Sequence, residues 1–457
     1  MHGLTAYGAR PTEACTVDSL PAWCHGPCGR SMGFDRGGIM KSAKMLAGLL
    51  SVALAVSACA TGESTSDAVL YEGAQLIIGD GGAVLDNSAF LVEDGRFTAV
   101  GAAGSIEAPE GSSHVDLAGK TVMPAIVNAH AHLASPRADR TEELQHWAYY
   151  GTGAVMSLGL DDGNVGFEMR SEDIPNGARS RSAGRGITAP EEGRSEVPFW
   201  ITSEAEARAA VQKLATEEVD FVKIWVDDRG GRYEKLTPEL YGPVIDEAHK
   251  HGLRVTAHVF TLEDAKGLLR AGIDAFAHGI RDQDVDDELV QLWTDRSEVV
   301  LVPNLPNPGV ALDLSWLSGT IPAERLREMQ AAQQDRPAAQ ESFGIQARNL
   351  DRLNSAGIKI AFGTDGSSPW TSHQEMEDMV RSGMTPAEVI VAATSTSAEL
   401  IELDAGSIAT GKLADFVVLD ANPIDDITNT RRISDVYIRG QRIDRGSLRE
   451  RWTGSEQ

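Results

Sequence analysis

Cysteine is scarce in this chain of 457 residues, and its distribution excludes a fold held together by disulfides. All four cysteines lie near the start of the chain: Cys15, Cys24, Cys28 and Cys59. Because the remainder has none, no disulfide can support its fold. Cys24 and Cys28 could form half of a zinc site, but no second pair follows them, so we do not expect a zinc site there.

Positive charge is also in short supply. The chain has 41 Lys and Arg residues against 67 Asp and Glu residues, which gives a formal net charge of −26. An acidic surface of this kind repels phosphate backbones, so the composition argues against nucleic acid as a partner. The apolar fraction of 42% and the charged fraction of 24% are usual for a soluble globular protein and argue against long disordered regions. The sequence contains no internal repeat and no low-complexity tract.

The apolar run 45–56 is too short for a membrane-spanning helix, which needs about 20 residues. A short basic region that begins at Met40 precedes this run, and small residues followed by Cys59 end it. This order is typical of a secretory signal peptide, here over residues 40–59. Its end resembles the signal of a bacterial lipoprotein, in which Cys59 would become the lipidated first residue. The alternative is a buried apolar helix with an incidental cysteine.

The position of this signal has implications for the rest of the N-terminus. Because a signal peptide begins near the start of a chain, we predict that Met40 is the true start and that residues 1–39 are a non-native upstream extension. Residues 60–67 are typical of a flexible tether. The sequence therefore predicts an exported protein, periplasmic or held at a membrane only by the lipid on Cys59.

Both ends of the mature chain have the pattern of short strands. In residues 68–120, two apolar stretches flank Asp94-Gly95, which is a strong hairpin signal. Residues 403–448 contain similar apolar stretches with turn residues between them. We therefore predict one small β-domain, a β-sandwich, whose two parts come from the two ends.

The middle of the chain, residues 121–402, alternates between apolar strands and helical stretches. Several helices have readable starts, including Thr385 with Glu388 and Ser203 with Glu206, which fit the capping-box spacing. Such alternation indicates a parallel sheet with right-handed crossovers. A (β/α)8 barrel and a doubly wound sheet both satisfy this pattern.

Polar residues at the ends of candidate strands favour the barrel. His130 and His132 are two apart on a strand, so their side chains point to the same face and can bind one metal ion. Lys223 lies inside an apolar strand, where a lysine is costly unless it is paired or modified. The full set lies at or near the C-terminal ends of five successive candidate strands: His130, His132, Lys223, His258, His278 and Asp365. Because strand ends of a (β/α)8 barrel meet at one mouth, we predict a site there for zinc or a related divalent metal.

These segments resemble the amidohydrolase superfamily, in the group with imidazolonepropionase-like enzymes, Xaa-Pro dipeptidases and ochratoxin amidases. The resemblance covers about residues 68–445 and is most specific at 383–388 and 406–415. The chain departs from the family pattern at Ala125, where glycine is usual, and at Ala277, where glutamate is frequent.

The resemblance implies a (β/α)8 barrel with a small β-sandwich and two divalent metal ions, of which zinc is the first choice. His130, His132 and Asp365 would bind one ion, and His258 and His278 would bind the other. Lys223, carboxylated to a carbamate, would bridge the two ions. The metals would activate a water molecule, and Asp365 would act as general base and then as general acid. A site with one metal ion, using His130, His132, His258 and Asp365, stays open as the alternative.

The substrate is less well defined by the sequence. Arg229 and Tyr233 follow the Lys223 strand and are candidates for contacts with a substrate carboxylate or carbonyl, and His373 is a further candidate. The leading hypothesis is an amidohydrolase that cleaves a dipeptide or an N-acyl amino acid-like amide. Hydrolysis of a cyclic amide, a lactone or an ester is the second hypothesis, and a non-catalytic binding lipoprotein is the third. Relatives often form homo-oligomers, and the sequence shows no interface.

Overall fold

A computed structural model of the protein describes residues 67–366 and 368–454. The cysteines, the predicted extension 1–39, the predicted signal peptide 40–59 and nearly all of the predicted tether lie outside these ranges, so these expectations stay predictions. Within the described ranges, no helix is both long enough and apolar enough to cross a membrane.

The first part of the described chain consists of six short strands. They are β1 (Val69–Glu72), β2 (Gln75–Leu76), β3 (Ser88–Glu93), β4 (Arg96–Ala102), β5 (Ser113–Asp116) and β6 (Thr121–Pro124). Strands β3 and β4 pair antiparallel around Asp94 and Gly95, both of which have positive φ. The hairpin predicted at this dipeptide is thereby confirmed, because such a turn needs two residues that tolerate the left-handed region.

Strands and helices then alternate. The strands are β7 (Ile126–Ala131), β8 (Thr152–Ser157), β9 (Arg179–Ser182), β10 (Ile187–Thr188), β11 (Phe199–Trp200), β12 (Val222–Val226), β13 (Val255–Val259), β14 (Ala275–Ala277), β15 (Val300–Val302) and β16 (Lys359–Ile360). The helices are α1 (Arg137–Tyr149), α2 (Val165–Met169), α3 (Glu204–Thr216), α4 (Pro238–Lys250), α5 (Leu262–Ala271), α6 (Asp287–Thr294), α7 (Ala323–Ala331), α8 (Pro337–Ser355), α9 (Thr371–Arg381), α10 (Pro386–Val391) and α11 (Ser397–Leu400).

Every pairing among these strands is parallel. One sheet has the order β7-β8-β9 and the other has the order β11-β10-β12-β13-β14-β15-β16. Backbone hydrogen bonds join the two sheets: Asp220 N donates to Ser182 O, and Ala129 N donates to Phe362 O. Buried aliphatic side chains fill the space between strands and helices. The result is a TIM-barrel-like α/β fold, the one of the two folds allowed by the alternation that the polar strand-end residues favour.

The predicted helix starts have the expected local chemistry. Thr385 accepts a hydrogen bond from Glu388 N, and the Glu388 carboxylate accepts one from Thr385 N, which completes the capping box. Ser203 accepts a hydrogen bond from Glu206 N at the start of α3. These side chains satisfy backbone N–H groups that have no partner inside the helix.

Strands in the last part of the described chain pair with strands of the first part. It contains β17 (Phe416–Leu419), β18 (Ile433–Ile438), β19 (Gln441–Arg442) and α12 (Arg445–Thr453). These strands form one sheet with the order β19-β18-β17-β6-β2, while β4-β3-β1-β5 form another. Pro124 of β6 pairs with Phe416 of β17, so strands from both ends share a sheet. Only Ala125 separates β6 from β7, the strand that leads to His130.

Candidate metal centre

The parallel strands bring six polar side chains to one edge. His130 is in β7, and His132 follows its end, while Lys223 and His258 lie within β12 and β13. His278 directly follows β14, and Asp365 comes shortly after β16. In a parallel α/β fold, the carboxyl ends of the strands lie on the same side, which explains why residues so distant in sequence meet.

Three of these side chains form a compact group. The ligating atoms of His130, His278 and Asp365 all lie within 4.8 Å of one another. His130 Nε2 and His132 Nε2 are each 3.0 Å from Asp365 Oδ1, and His278 Nε2 is 3.6 Å from Asp365 Oδ2. Asp365 is the most exposed member of the group, with 38% of its side chain accessible to solvent.

Lys223 and His258 stand next to this group. Lys223 is fully buried, and its Nζ lies 3.4 Å from His130 Nε2. The ring of His258 lies 4.4 Å from that of His278, centroid to centroid. Gly159 makes room for the lysine stem, because a Cβ there would come within 2.8 Å of Lys223 Cγ. The structure therefore brings all six predicted ligands into one neighbourhood.

Burial controls the protonation of this neighbourhood. Desolvation, reinforced by Lys223, lowers the pKa of His130 to about 4, and it lowers the pKa of His258 and His278 well below the ordinary value. Desolvation also lowers the pKa of Lys223 to about 7. Desolvation acts to raise the pKa of Asp365. The contacts of its carboxylate with the imidazoles outweigh desolvation, and the pKa of Asp365 lies well below its usual value. Neutral imidazole is the form that binds a metal ion.

The hydrogen bonds of His130 show that a cation fits the centre. Asn304 Oδ1 lies 2.7 Å from His130 Nδ1 and can only accept a hydrogen bond, so we assign the ring proton to Nδ1, which donates to Asn304 Oδ1. In the neutral ring Nε2 then holds a lone pair, and that lone pair faces the Asp365 carboxylate at 3.0 Å. Two electron-rich atoms at this distance are stabilised by a positive ion beside them. His278 Nε2 is buried without a hydrogen-bond partner, which agrees with a ligand role.

Three residues of this neighbourhood adopt the left-handed backbone region. They are His278 (φ 77), Asn304 (φ 41) and Asp365 (φ 54). Such conformations cost about 1–3 kcal/mol each in non-glycine residues, and they concentrate at functional sites. They are three of the ten non-glycine residues with positive φ among the described residues, so the centre holds part of the backbone strain of this chain.

A chain of charged groups extends from His258. Asp227 Oδ2 lies 3.1 Å from His258 Nε2 and accepts a hydrogen bond of 2.6 Å from Arg229 Nη1. Arg229 Nε donates to the buried carboxylate of Glu191, which also accepts from Arg194. Asp227 and Glu191 were not among the predicted site residues, since a carboxylate after a strand has no distinguishing pattern in the sequence.

The predicted substrate contacts have different surroundings. Arg229 reaches the centre, because its Nη1 lies 3.1 Å from His258 Nε2. Tyr233 is further out, where its hydroxyl donates to the backbone oxygen of Glu192. His373 is buried in α9, and its Nδ1 lies 3.0 Å from Thr430 Oγ1. None of the contacts of His373 in the described residues involves a predicted ligand.

Comparison with known proteins agrees with the fold and the site. The amidohydrolase family model matches residues 121–443. An uncharacterized protein of Mycobacterium bovis is 29% identical over 300 residues, which cover 60% of this chain and 73% of that protein. An imidazolonepropionase of Deinococcus radiodurans is 27% identical over 388 residues, which cover 79% of this chain and 93% of that protein.

A solved structure has a similar fold. The crystal structure of a candidate prolidase from Bifidobacterium longum matches with a TM-score of 0.70 at 26% identity, covering 85% of this chain and 99% of that chain. The parallel strands, the polar residues at their ends and the family match lead to the same conclusion. The chain belongs to the amidohydrolase family and is a hydrolytic enzyme that acts on C–N bonds.

Proposed function

We propose that this enzyme uses divalent metal ions to hydrolyse the amide bond of a dipeptide or an N-acyl amino acid-like substrate. In this proposal the strands form a closed (β/α)8 barrel, and the sheets from the two ends form a small β-sandwich. The observation that best supports the proposal is the His130 Nε2 lone pair that faces the Asp365 carboxylate.

Six side chains are the proposed metal ligands: His130, His132, Lys223, His258, His278 and Asp365. Imidazoles with carboxylate oxygens suit zinc, which is the metal we propose first. A bound divalent ion would polarise the scissile carbonyl and lower the pKa of a water molecule. His130, His132 and Asp365 hold one ion in this proposal, and His258 and His278 hold the second.

Lys223 is proposed to act as a carbamate shared by the two ions. The side chain is fully buried, and no carboxylate within the described ranges forms an ion pair with it. A buried, unpaired ammonium is costly, whereas a carbamate formed with carbon dioxide is an anionic ligand. Its neighbour at 3.4 Å is His130 Nε2, one of the proposed ligand atoms.

Asp365 is the proposed acid–base group. Its carboxylate is open to the mouth and touches both His130 and His132. It would take one proton from the attacking water as the water oxygen bonds to the carbonyl carbon. It would return that proton to the nitrogen as the C–N bond breaks, so that an acid and an amine leave. Dipeptides and N-acyl amino acids fit this chemistry, and the similarity to a candidate prolidase supports them.

Metal stoichiometry tests the proposal directly. We would purify wild type, Lys223→Ala and a control, Lys235→Ala, with zinc and bicarbonate supplied, and measure bound metal. Lys235 is a partly exposed lysine paired with Asp264, so its replacement should leave the metal content unchanged. We expect two ions per chain in wild type and in the control, and one or none in Lys223→Ala. One ion in all three proteins would indicate the single-metal site, and no ion in wild type would refute metal-dependent hydrolysis.

Hydrolysis of a cyclic amide or lactone is the second candidate. The similarity to an imidazolonepropionase over 79% of the chain favours it. Parallel assays of metal-loaded wild type on dipeptides, N-acyl amino acids, lactams and lactones would separate the candidates. Turnover of the cyclic compounds alone would replace the first candidate by the second.

A further inference from the structure

Arg281 stacks on an aromatic ring that borders the candidate metal centre. It follows His278 by three residues, and its guanidinium carbon lies 3.3 Å from the centroid of the Phe260 ring. That ring in turn packs against the imidazoles of His258 and His278, with centroid distances of 4.4 Å and 5.0 Å. A guanidinium group stacked in this way is held flat by the aromatic face.

The guanidinium of Arg281 has no anionic partner. Within residues 67–366 and 368–454, its side chain makes no hydrogen bond and no ion pair, and its backbone N–H donates to Phe260 O. The side chain is partly buried, and desolvation lowers its pKa to about 10, while the charges of Asp227 and Asp365 act in the opposite direction. A partly desolvated cation without a partner, which senses the carboxylates of the site, is suited to receive an anion.

Arg229, the other arginine at the centre, is already engaged. Its Nη1 and Nε donate to the carboxylates of Asp227 and Glu191, and its own backbone N–H also donates to Asp227. An additional substrate carboxylate would have to compete with both of these acids. Arg281 faces no such competition: it stacks on Phe260, the ring that packs against His258, and has no ion-pair partner among the described residues.

We infer that Arg281 binds a carboxylate of the substrate and makes the enzyme selective for substrates that carry one. This inference rests on the proposed amide hydrolysis at the metal centre. The fixed fork of the guanidinium can bind both oxygens of a carboxylate, which a neutral carboxamide cannot reproduce. The Phe260 face below the fork would hold the anion on the side of His258 and His278.

The orientation of Arg281 could not be predicted from the sequence. Positions after a strand-end histidine are loop residues, and an arginine there is ordinarily a solvated surface charge. Only the stacking on Phe260, two residues after His258 in a different loop, shows that this arginine is turned toward the centre.

The test compares matched substrates in matched variants. We would measure kcat and KM for the N-acyl amino acid or dipeptide that wild type cleaves best, and for the same compound with its carboxylate converted to a carboxamide. The variants are Arg281→Met, Arg281→Lys and, as a control, Arg254→Met. Arg254 also stacks on a phenyl ring, that of Phe221 at 4.8 Å, but it lies at the opposite end of its strand from His258.

We expect wild type and Arg254→Met to favour the carboxylate by about 100-fold in kcat/KM, since a charged, bidentate contact is lost in the carboxamide. In Arg281→Met the preference should fall to within about 3-fold of unity, mostly through KM, and Arg281→Lys should restore part of it. An unchanged preference in Arg281→Met would overturn the inference.

A binding experiment keeps the inference testable without turnover. Calorimetric titration of each metal-loaded protein with N-methanesulfonyl-L-phenylalanine, in which a sulfonamide replaces the scissile amide, and with its carboxamide, measures recognition of the carboxylate directly. We expect the affinity for the acid to drop about 10-fold or more in Arg281→Met and to stay unchanged in Arg254→Met. Equal binding of acid and carboxamide by wild type would overturn the inference. Absence of amide cleavage by wild type would instead overturn the proposed function.

Discussion

Asn304 and His130 are joined by a buried contact that orients the ring of His130, the first of the proposed metal ligands. Asn304 Oδ1 lies 2.7 Å from His130 Nδ1, and both side chains are buried. Because Nδ1 is the donor, the remaining nitrogen, Nε2, is left free and points at Asp365. Partners of this kind set the tautomer and ring orientation of metal-binding histidines and raise their basicity.

Replacement of Asn304 should therefore weaken metal binding. We expect Asn304→Gly, which suits the left-handed backbone at this position, to reduce zinc affinity about 10- to 100-fold. Asn304→Asp keeps the acceptor and should retain most of the affinity. The measurement is competition for zinc against a chelator, with thermal unfolding of the metal-free proteins as the control. Equal affinity in Asn304→Gly and wild type would contradict the positioning role.

Close packing behind His130 leads to a second prediction, at Gly363. A Cβ on this residue would lie 2.7 Å from His130 Cβ and 2.6 Å from Val302 Cγ1. Because both neighbours are buried, Gly363→Ala should displace the imidazole, cost about 1–3 kcal/mol of stability and lower zinc affinity. Gly366→Ala is the matched control, because the nearest atom to its Cβ is at 3.7 Å. Chemical denaturation and zinc competition on both variants measure the two effects.

The buried ion pair between Arg140 and Asp161 should matter for stability. The two side chains are 0% and 2% exposed, and Arg140 Nη2 lies 3.0 Å from Asp161 Oδ2. Asp161 also accepts hydrogen bonds from Ser157 and Ser182. Asp161→Asn leaves the arginine charge buried without compensation, and we expect a loss of about 3–5 kcal/mol.

An exposed ion pair provides the control for Asp161. Asp284 and Arg348 are 63% and 60% exposed at a distance of 2.7 Å. Asp284→Asn should change the free energy of unfolding by less than about 1 kcal/mol, because water screens exposed pairs. Urea denaturation of both variants measures the two changes in the free energy of unfolding. A small change at both positions would contradict the prediction and mean that Arg140 finds another partner.

His146 should contribute to acid sensitivity outside the metal site. Its ring stacks on Trp452 at 3.5 Å between centroids, and desolvation, aided by the charge of Arg451, lowers its pKa from 6.5 to about 4. The unfolded chain then binds the proton more readily than the folded one. Stability should fall as the pH drops from about 6.5 to about 4, and this contribution should level off below that range.

The variant His146→Phe isolates this contribution. Phenylalanine keeps an aromatic ring on Trp452 but does not titrate. We expect the pH-dependent loss of stability between about pH 6.5 and 4 to be smaller in the variant by about 1–2 kcal/mol, after allowance for solvent screening. Thermal and urea unfolding at a series of pH values measure this pH dependence. The same dependence of the free energy of unfolding on pH in both proteins would contradict the prediction.

The sequence predicts the parts of this molecule that depend on local order. The Asp94-Gly95 hairpin and the Thr385 capping box depend on residues within a few positions of each other, and both are present. The six proposed ligands could be identified because each lies within a strand or shortly after one, and parallel strands share a direction. The α/β alternation follows from the same periodicity.

The surroundings of the ligands could not be predicted in the same way. Asn304 lies in a proline-rich segment, 303–308, that the sequence indicates only as a rigid loop, and its contact with His130 joins two distant strands. His373 follows Asp365 closely and so is a natural candidate for the mouth. The structure instead buries its ring against Thr430, because α9 packs toward the C-terminal part of the chain. Side-chain direction in such segments is decided by tertiary packing.

The pairing of Pro124 with Phe416 has a consequence for the order in which the enzyme is made. Strand β6 leaves the ribosome long before its antiparallel partner β17 has been synthesised, and contacts that close so long a loop form slowly. Until then one edge of β6 has no partner, immediately before the strand that leads to His130. The sheet that anchors this strand is therefore completed only at the end of translation, and a transcript truncated before Phe416 would yield a chain with an open strand edge.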